Sequence, residues 1–369
     1  MSDIQRRPAE DLYAQELARL ADHDALAPQT RTRPKGWHLS PRAVRRFILG
    51  DPTLEVSQKF FGDDALVDRC IVSLMGQQGL MLVGEPGTAK SLLSELLAAA
   101  ISGDSRLVIQ GSAGVLEDHL RYGWNYALLL AEGPSERALV PSPVMTAMRH
   151  GKIARIEELT RCAPEVQDAM ISLLSERTIA MPELGAGAES RAIPGFNVIG
   201  TANLRDLGVN EMSSALKRRF NFETVKPIAD PAFEKALVAK QVRERMADHD
   251  TAATMDDDVL QLLVDVFRDL RTGRTADGAT VAQPKSVMST AEAVNVAHAA
   301  MLTATYLGSD GGRVSAEHVA RQLPGVVFKD DPEDARKLRA YANTIGRARG
   351  RSSRVWDTFD KTVKTILDN

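Results

Sequence analysis

Two short stretches of this chain carry residue types whose spacing could do chemistry. The first is GEPGTAKS, Gly84–Ser91, which has the form GxxxxGK[ST]. Its glycines let backbone N–H groups wrap around a phosphate, and a helix starting behind it would aim its positive end at that charge. Lys90 is then placed to reach the β- and γ-phosphates of a nucleotide, and the Ser91 hydroxyl to bind Mg²⁺. The candidate cradle is thus Gly84, Glu85, Pro86, Gly87, Thr88, Ala89, Lys90 and Ser91. The second stretch is IARIEE, which ends in two adjacent carboxylates, Glu157 and Glu158. A phosphate loop of this kind needs one acidic group for the metal and another to orient the attacking water. Side chains alternate along a strand, so neighbouring glutamates at its end can serve different purposes. Glu157 is assigned to the metal and Glu158 to the water.

These residues need elements to hold them. GLMLV reads as a short buried strand before the phosphate loop, and the segment behind it carries Leu92, Leu93, Leu96, Leu97, Ala100 and Ile101 on one helical face. RLVIQG, KIARIEE and GFNVIGTAN are three further short apolar segments. Helical patterns alternate with them, among them DDALVDRCIVSLM (Leu66, Val67, Cys70, Ile71, Leu74 and Met75) and EVQDAMISLLSE. That βαβ rhythm predicts a parallel sheet covered on both faces. Beyond about residue 226 the strand signal disappears, and DDDVLQLLVDVFRDL and SVMSTAEAVNVAHAAMLTATYL read as amphipathic helices of a smaller unit.

Composition bounds the rest. The chain has 369 residues, 44% hydrophobic and 26% charged, as expected of a soluble globular protein. A net charge of −3 and a pI of about 6.2 give no global pull toward nucleic acid or an anionic membrane. Cys70 and Cys162 are isolated, and the seven histidines lack HxxxH or HExxH spacing, so zinc chemistry has no footing. The polar start MSDIQRRPAEDLYAQEL has no apolar signal-peptide core, and no apolar run approaches the length of a bilayer span. The expectation is a cytoplasmic protein with reduced cysteines and no membrane partner.

GEPGTAKS, IEELTRCAPEVQDAMISLLSERTIAMPELG, FNVIGTANLRDLGVNEMSSALKRRF and QPKSVMST together, and in this order, resemble the AAA+ ATPases of the MoxR family. The match covers roughly residues 55–330. That resemblance implies an α/β fold, an αβα P-loop sandwich with a parallel sheet, followed by a smaller all-α lid. With the residue patterns on either side of the match, it sets out four regions: 1–50 an N-terminal extension and linker, 51–226 the ATPase core, 227–330 the lid, and 331–369 a basic helical tail. It implies ATP and Mg²⁺ as cofactors, and a homo-oligomeric ring, usually a hexamer. The expected activity is ATP hydrolysis that remodels or activates a client protein, for which a von Willebrand factor A domain protein is the family's common companion. Other readings are a metal-chelatase-type motor subunit, a nucleotide-gated scaffold that hardly turns over, and a motor acting on nucleic acid.

The resemblance also assigns residues. Asn203, closing TAN, resembles the sensor-1 residue that helps hold the attacking water. In SALKRRF, Arg219 aligns best with the arginine finger and Arg218 second, although a cationic helix end also answers the helix dipole. Lys285 in QPKS stands where the family's sensor-2 arginine usually lies, and lacks the planar fork of arginine. WNYALLLAEG lies in the expected helix-2 insert, and RTIAMPELGAGAESRAIPG reads as a hairpin before sensor 1 or as an ordinary surface hairpin. Two departures stand out. Glu157 occupies a position that is usually Asp, and Arg155 sits in a strand that is usually apolar, where a buried arginine needs a partner. In the tail, Arg336, Lys337, Arg339, Arg347, Arg349, Arg351 and Arg354 form a basic cluster without interleaved aromatics, which disfavours nucleic acid.

Overall fold

The structure, a computed structural model, describes residues 7–26, 32–203, 208–247, 249, 253–308, 312–329 and 331–368. Part of the expected N-terminal linker (27–31) and part of the motif after sensor 1 (204–207) lie outside the described residues. The chain divides into two compact units, Met1–Glu85 with Ala89–Lys226, and Pro86–Thr88 with Pro227–Asn369.

In the first unit, the described residues before residue 50 pack into the core and do not form a separate extension. A short helix at Ala9–Leu12, α1 (Ala14–Ala25) and α2 (Pro41–Leu49) bury Leu17, Leu20, Val44, Phe47 and Ile48 in the same core as the phosphate-loop helix. Asp24 accepts from the Ser40 backbone N–H at 2.7 Å and from its hydroxyl at 2.8 Å. The Ser40 oxygen in turn caps α2 by accepting from Ala43 N–H. The buried Lys59 ammonium donates to Glu16 at 2.6 Å and to the Phe47 and Ser57 carbonyls. It also lies 4.6 and 4.3 Å from the ring centres of Tyr13 and Phe47, so its charge is answered on every side.

Helix α3 (Asp64–Met75) buries Leu66, Val67, Cys70, Ile71 and Leu74, whereas Met75, expected on that stripe, is exposed at the helix end. The sheet follows: β1 (Gly79–Val83), β2 (Val108–Gln110), β3 (Ile153–Glu157), β4 (Asn197–Ala202) and β5 (Phe220–Thr224). Across it the order is β2–β3–β4–β1–β5, every neighbouring pair parallel. β1, β3 and β4 are buried along their whole length, which is why they read as continuous apolar runs. β5 was not among the expected strands. As an edge strand it alternates Phe220 and Phe222 with Asn221 and Glu223, and so lacks that run. α4 (Lys90–Ser102) is buried nearly all round, and α5 (Pro164–Glu176) buries Val166, Met170, Leu173 and Leu174. Both expected inserts are present. One is an antiparallel pair, Tyr122–Trp124 with Leu139–Pro141, carrying the helix Tyr126–Glu132; the other is the hairpin Thr178–Ala180 with Glu189–Arg191.

The second unit is helical: α6 (Pro231–Met246), α7 (Asp257–Thr272), α8 (Thr290–Tyr306), α9 (Ala316–Leu323), α10 (Pro332–Tyr341) and α11 (Arg354–Asp368). A two-residue parallel pair, Thr254–Met255 with Arg313–Val314, accompanies them. The tail is no appendage, because Leu338, Tyr341, Trp356, Phe359 and Val363 enter the same core as Leu263, Phe267 and Val294. Part of its basic cluster is consumed internally. Arg349 lies 2.9 Å from the buried Asp269 and over the Trp356 ring, and Lys337 pairs with Glu333. No helix among the described residues is long and apolar enough to cross a membrane.

Candidate nucleotide site

Because the five strands are parallel, their C-terminal ends share one edge of the sheet. β1 runs there into the phosphate loop, β3 into Glu157 and Glu158, and β4 into Asn203. The loop bends through Gly87 at φ +74°, a left-handed conformation that suits glycine. Ala89, at φ +67°, takes a comparable conformation without glycine's freedom immediately before α4. Backbone strain of this kind is characteristic of functional turns. Lys90 is buried, and its ammonium donates to the Gly84 carbonyl at 2.9 Å and the Glu85 carbonyl at 2.8 Å. Burial pushes it below the usual lysine range, against the pull of the Glu158, Glu157 and Glu85 carboxylates. An ammonium has three donors, so one more is available in principle to a phosphate oxygen.

The two glutamates have different surroundings. Glu157 is buried with both oxygens engaged. Oε2 accepts from Ser91 Oγ at 2.6 Å and Thr201 Oγ1 at 2.8 Å; Oε1 accepts from Ser94 Oγ at 2.6 Å and Arg155 Nη2 at 2.7 Å. Burial opposes its charge, but the Ser91 and Ser94 hydroxyls, the Arg155 guanidinium and Thr201 outweigh burial and hold the carboxyl below the usual glutamate range. Glu158 sits at φ +54° with its N–H on Thr201 Oγ1 at 3.0 Å. Its buried Oε2 has no hydrogen-bond partner among the described residues, and Arg161 Nε stands 3.7 Å away. Of the two carboxylates, Glu158 is the one with an oxygen free of hydrogen bonds.

Ser91 and Glu157 are hard oxygen donors in direct contact, which suits Mg²⁺. No group of three or more His, Cys, Asp or Glu that could hold a metal occurs among the described residues. Phosphate oxygens and water would therefore complete an octahedral shell. Asn203 is buried directly after β4. Arg219 is not at this edge. Its carbonyl accepts from Gly79 N–H, at the start of β1, and its side chain donates to Ser175 Oγ at 2.8 Å and the Ala215 carbonyl at 2.7 Å. Five residues of β1, on the order of 16 Å of extended chain, separate it from the phosphate loop. Arg218 is exposed beside it, with its carbonyl on Gln78. Within the second unit, the exposed Lys285 has its ammonium 2.6 Å from Glu333 and 3.9 Å from Asp331, while its backbone N–H donates to the buried Asp334.

Three residues of this centre were not read as site residues from the sequence: Arg155, Ser94 and Thr201. Their signals were present. Arg155 and Glu157 are two apart on one strand and share a face, and Ser94 lies one helical turn beyond Ser91. Thr201 precedes Asn203 by two residues on the strand beside β3.

A parallel sheet with a phosphate loop, a carboxylate pair and a buried Asn at one edge defines a P-loop ATPase of the AAA+ class. The comparisons agree: the AAA domain (dynein-related subfamily) model matches residues 79–220, and the YehL-like AAA+ ATPase C-terminal domain model matches residues 232–366. YehL of Escherichia coli (strain K12) is 50% identical over 339 residues, which is 92% of this chain and 91% of that protein. The chain belongs to the YehL-like AAA+ ATPases. A protein of Staphylococcus aureus (strain USA300) is 31% identical over 144 residues, 39% of this chain and 53% of its own. The fold also resembles NtrX from Brucella abortus at a TM-score of 0.49 and 12% identity, over 74% of this chain and 56% of that one, a likeness that carries no functional weight.

Proposed function

We propose that this AAA+ ATPase is a MoxR-type, Mg²⁺-dependent ring motor that uses ATP turnover to remodel a partner protein. The observation that carries this reading is the position of Arg219, at the sheet edge opposite its own phosphate loop. An arginine there completes a site only when it is lent to a neighbouring copy, which makes the working unit an assembly. The inserts support a protein client. Tyr122 Oη donates to Glu183 at 2.7 Å and Arg121 to the Ala180 carbonyl, so the two inserts are tied together. The helix Tyr126–Glu132 buries none of its residues, with Tyr126 and Leu130 exposed at 74% and 89%. Two exposed apolar side chains one helical turn apart, on a helix that buries nothing, support a contact surface there. A von Willebrand factor A domain protein is the client class that the MoxR resemblance favours.

The test mixes two inactive variants. Lys90→Ala loses the charge that neutralises the terminal phosphates and should not bind ATP; Arg219→Ala should bind ATP and hardly hydrolyse it. An arginine supplied in trans is worth on the order of 10³–10⁵ in turnover. Mixed under subunit exchange, the pair should regain ATPase activity, since the first variant can lend its arginine to the second. Mixtures that stay inactive despite demonstrated co-assembly would refute a shared site; if Arg219→Ala alone hydrolyses normally, Arg218 becomes the candidate and Arg218→Ala is put through the same exchange.

A further inference from the structure

Arg155 and Glu157, two separate oddities in the sequence, form one feature in the structure. The Arg155 guanidinium is buried and uses its whole fork. Nε donates to Ser94 Oγ at 3.0 Å, Nη1 to the Ser105 carbonyl at 2.9 Å, and Nη2 to both Glu157 Oε1 at 2.7 Å and the Ser91 carbonyl at 3.2 Å. One rigid plane therefore grips the two residues that would meet the metal. It holds Glu157 by the oxygen facing away from Ser91, and it holds Ser91 by its main chain. Glu157 Oε2 is left 2.6 Å from the Ser91 hydroxyl.

We infer that Arg155 is a positioning residue that fixes the separation of the Ser91 and Glu157 oxygens, and so allows a glutamate to serve where a shorter carboxylate would otherwise be needed. A glutamate has one more rotatable bond than an aspartate, and the anchor at Oε1 removes that freedom. A carboxylate one methylene shorter, still drawn to the same guanidinium, falls short of Ser91. Lysine cannot replace the arginine, because a single ammonium cannot span the Glu157 carboxylate, Ser94, Ser105 and the Ser91 carbonyl at once. Electrostatics alone argues the opposite outcome. Removing a buried cation beside a metal site leaves it more negative and should draw Mg²⁺ in more tightly. The sign of the change therefore separates positioning from charge.

The inference rests on the nucleotide-site reading, and binding rather than turnover tests it. A fluorescent ATP analogue is titrated against the intact chain at increasing Mg²⁺, with thermal melting recorded for every variant. Loss of a residue that orients a metal ligand typically costs about 10–100-fold in metal affinity. Arg155→Leu should raise the Mg²⁺ needed for half-maximal tight binding by that factor, and Arg155→Lys should recover only part of it. Glu157→Asp alone should also weaken the Mg²⁺ dependence, while the double variant Arg155→Leu/Glu157→Asp should lie closer to the parent than either single change. Unchanged or tighter Mg²⁺ coupling in a folded Arg155→Leu protein overturns the inference, as do additive effects in the double variant. If Arg155→Leu does not fold, Glu157→Asp decides, and equal or tighter Mg²⁺ coupling there overturns it. A parent protein that fails to bind the analogue at all would instead refute the nucleotide site itself.

Discussion

Both units bury an arginine–glutamate pair, and the two pairs are built for different ends. In the ATPase unit, Arg155 and Glu157 lie two residues apart on one strand, with side chains 8% and 7% exposed. In the helical unit, Arg271 of α7 meets Glu234 of α6 in a two-pronged contact, Nη1–Oε1 at 2.9 Å and Nη2–Oε2 at 2.7 Å, with side chains 9% and 1% exposed. There Thr290 Oγ1 also donates to Glu234 at 2.6 Å, and Arg271 donates to the Met288 carbonyl, so the start of α8 is fastened to the pair. Burial and ion pairing are shared. The difference lies in what the second carboxylate oxygen faces. That of Glu157 faces the hydroxyl of the phosphate loop, whereas that of Glu234 is closed by the other prong of the fork. A buried pair by itself is thus weak evidence of function, and the neighbours of its lone pairs distinguish a site from a staple.

The largest effect that would sharpen this contrast is expected beside the first pair. Glu158→Gln keeps the shape of a side chain whose Oε2 has no hydrogen-bond partner among the described residues, but removes the group that can polarise water. Loss of a positioned general base typically costs 10²–10⁴ in rate. Turnover should fall by about that factor while ATP stays bound. Glu157→Gln should instead shift the Mg²⁺ dependence. If Glu157→Gln stopped turnover with Mg²⁺ coupling intact and Glu158→Gln hydrolysed normally, the two roles would be reversed.

The second pair should answer to stability. Removing one partner of a buried ion pair leaves an uncompensated charge and costs about 3–5 kcal/mol. Glu234→Ala should destabilise the helical unit by roughly that amount, read by hydrogen exchange in α6, α7 and the first turn of α8, with protection in β1, β3 and β4 retained. A helical unit as protected as the parent's would show that Arg271 finds another partner and that the staple is dispensable.

Much of this contrast was legible in the sequence, but unevenly. The phosphate loop and the doubled carboxylate were readable because their chemistry depends on neighbours in the chain, Lys90 beside Ser91 and Glu157 beside Glu158. The apolar runs of β1, β3 and β4 were readable because both faces of those strands are covered. The need for a partner at Arg155 was also visible, but its partners come from three elements, and only the fold brings Ser94 and Ser105 to it. β5 was obscured by its edge position. In the tail, the closely spaced arginines mask the apolar positions Leu338, Tyr341, Phe359 and Val363, which are buried in the core of the helical unit. No local pattern in the sequence announces that Arg271 meets Glu234 across 37 residues.

An exposed pair supplies the smallest effect and the sharpest control. Lys285 pairs with Glu333 in solvent, with side chains 63% and 47% exposed. The Glu333 carboxylate, with Asp331 behind it, holds the ammonium above its usual range. Such pairs contribute little to stability, because water screens the attraction and ordering two long side chains offsets the gain. Lys285→Ala should therefore leave the melting temperature of the protein where it is. If Lys285 leaves Glu333 to neutralise phosphate charge during turnover, the same variant should still slow ATP hydrolysis. Lys285→Arg, with a fork that can take two phosphate oxygens, should match or exceed the parent. A Lys285→Ala protein with parental turnover would reduce this lysine to a surface ion pair and leave the phosphate chemistry to Lys90 and, on the proposed reading, to Arg219 of a neighbouring copy.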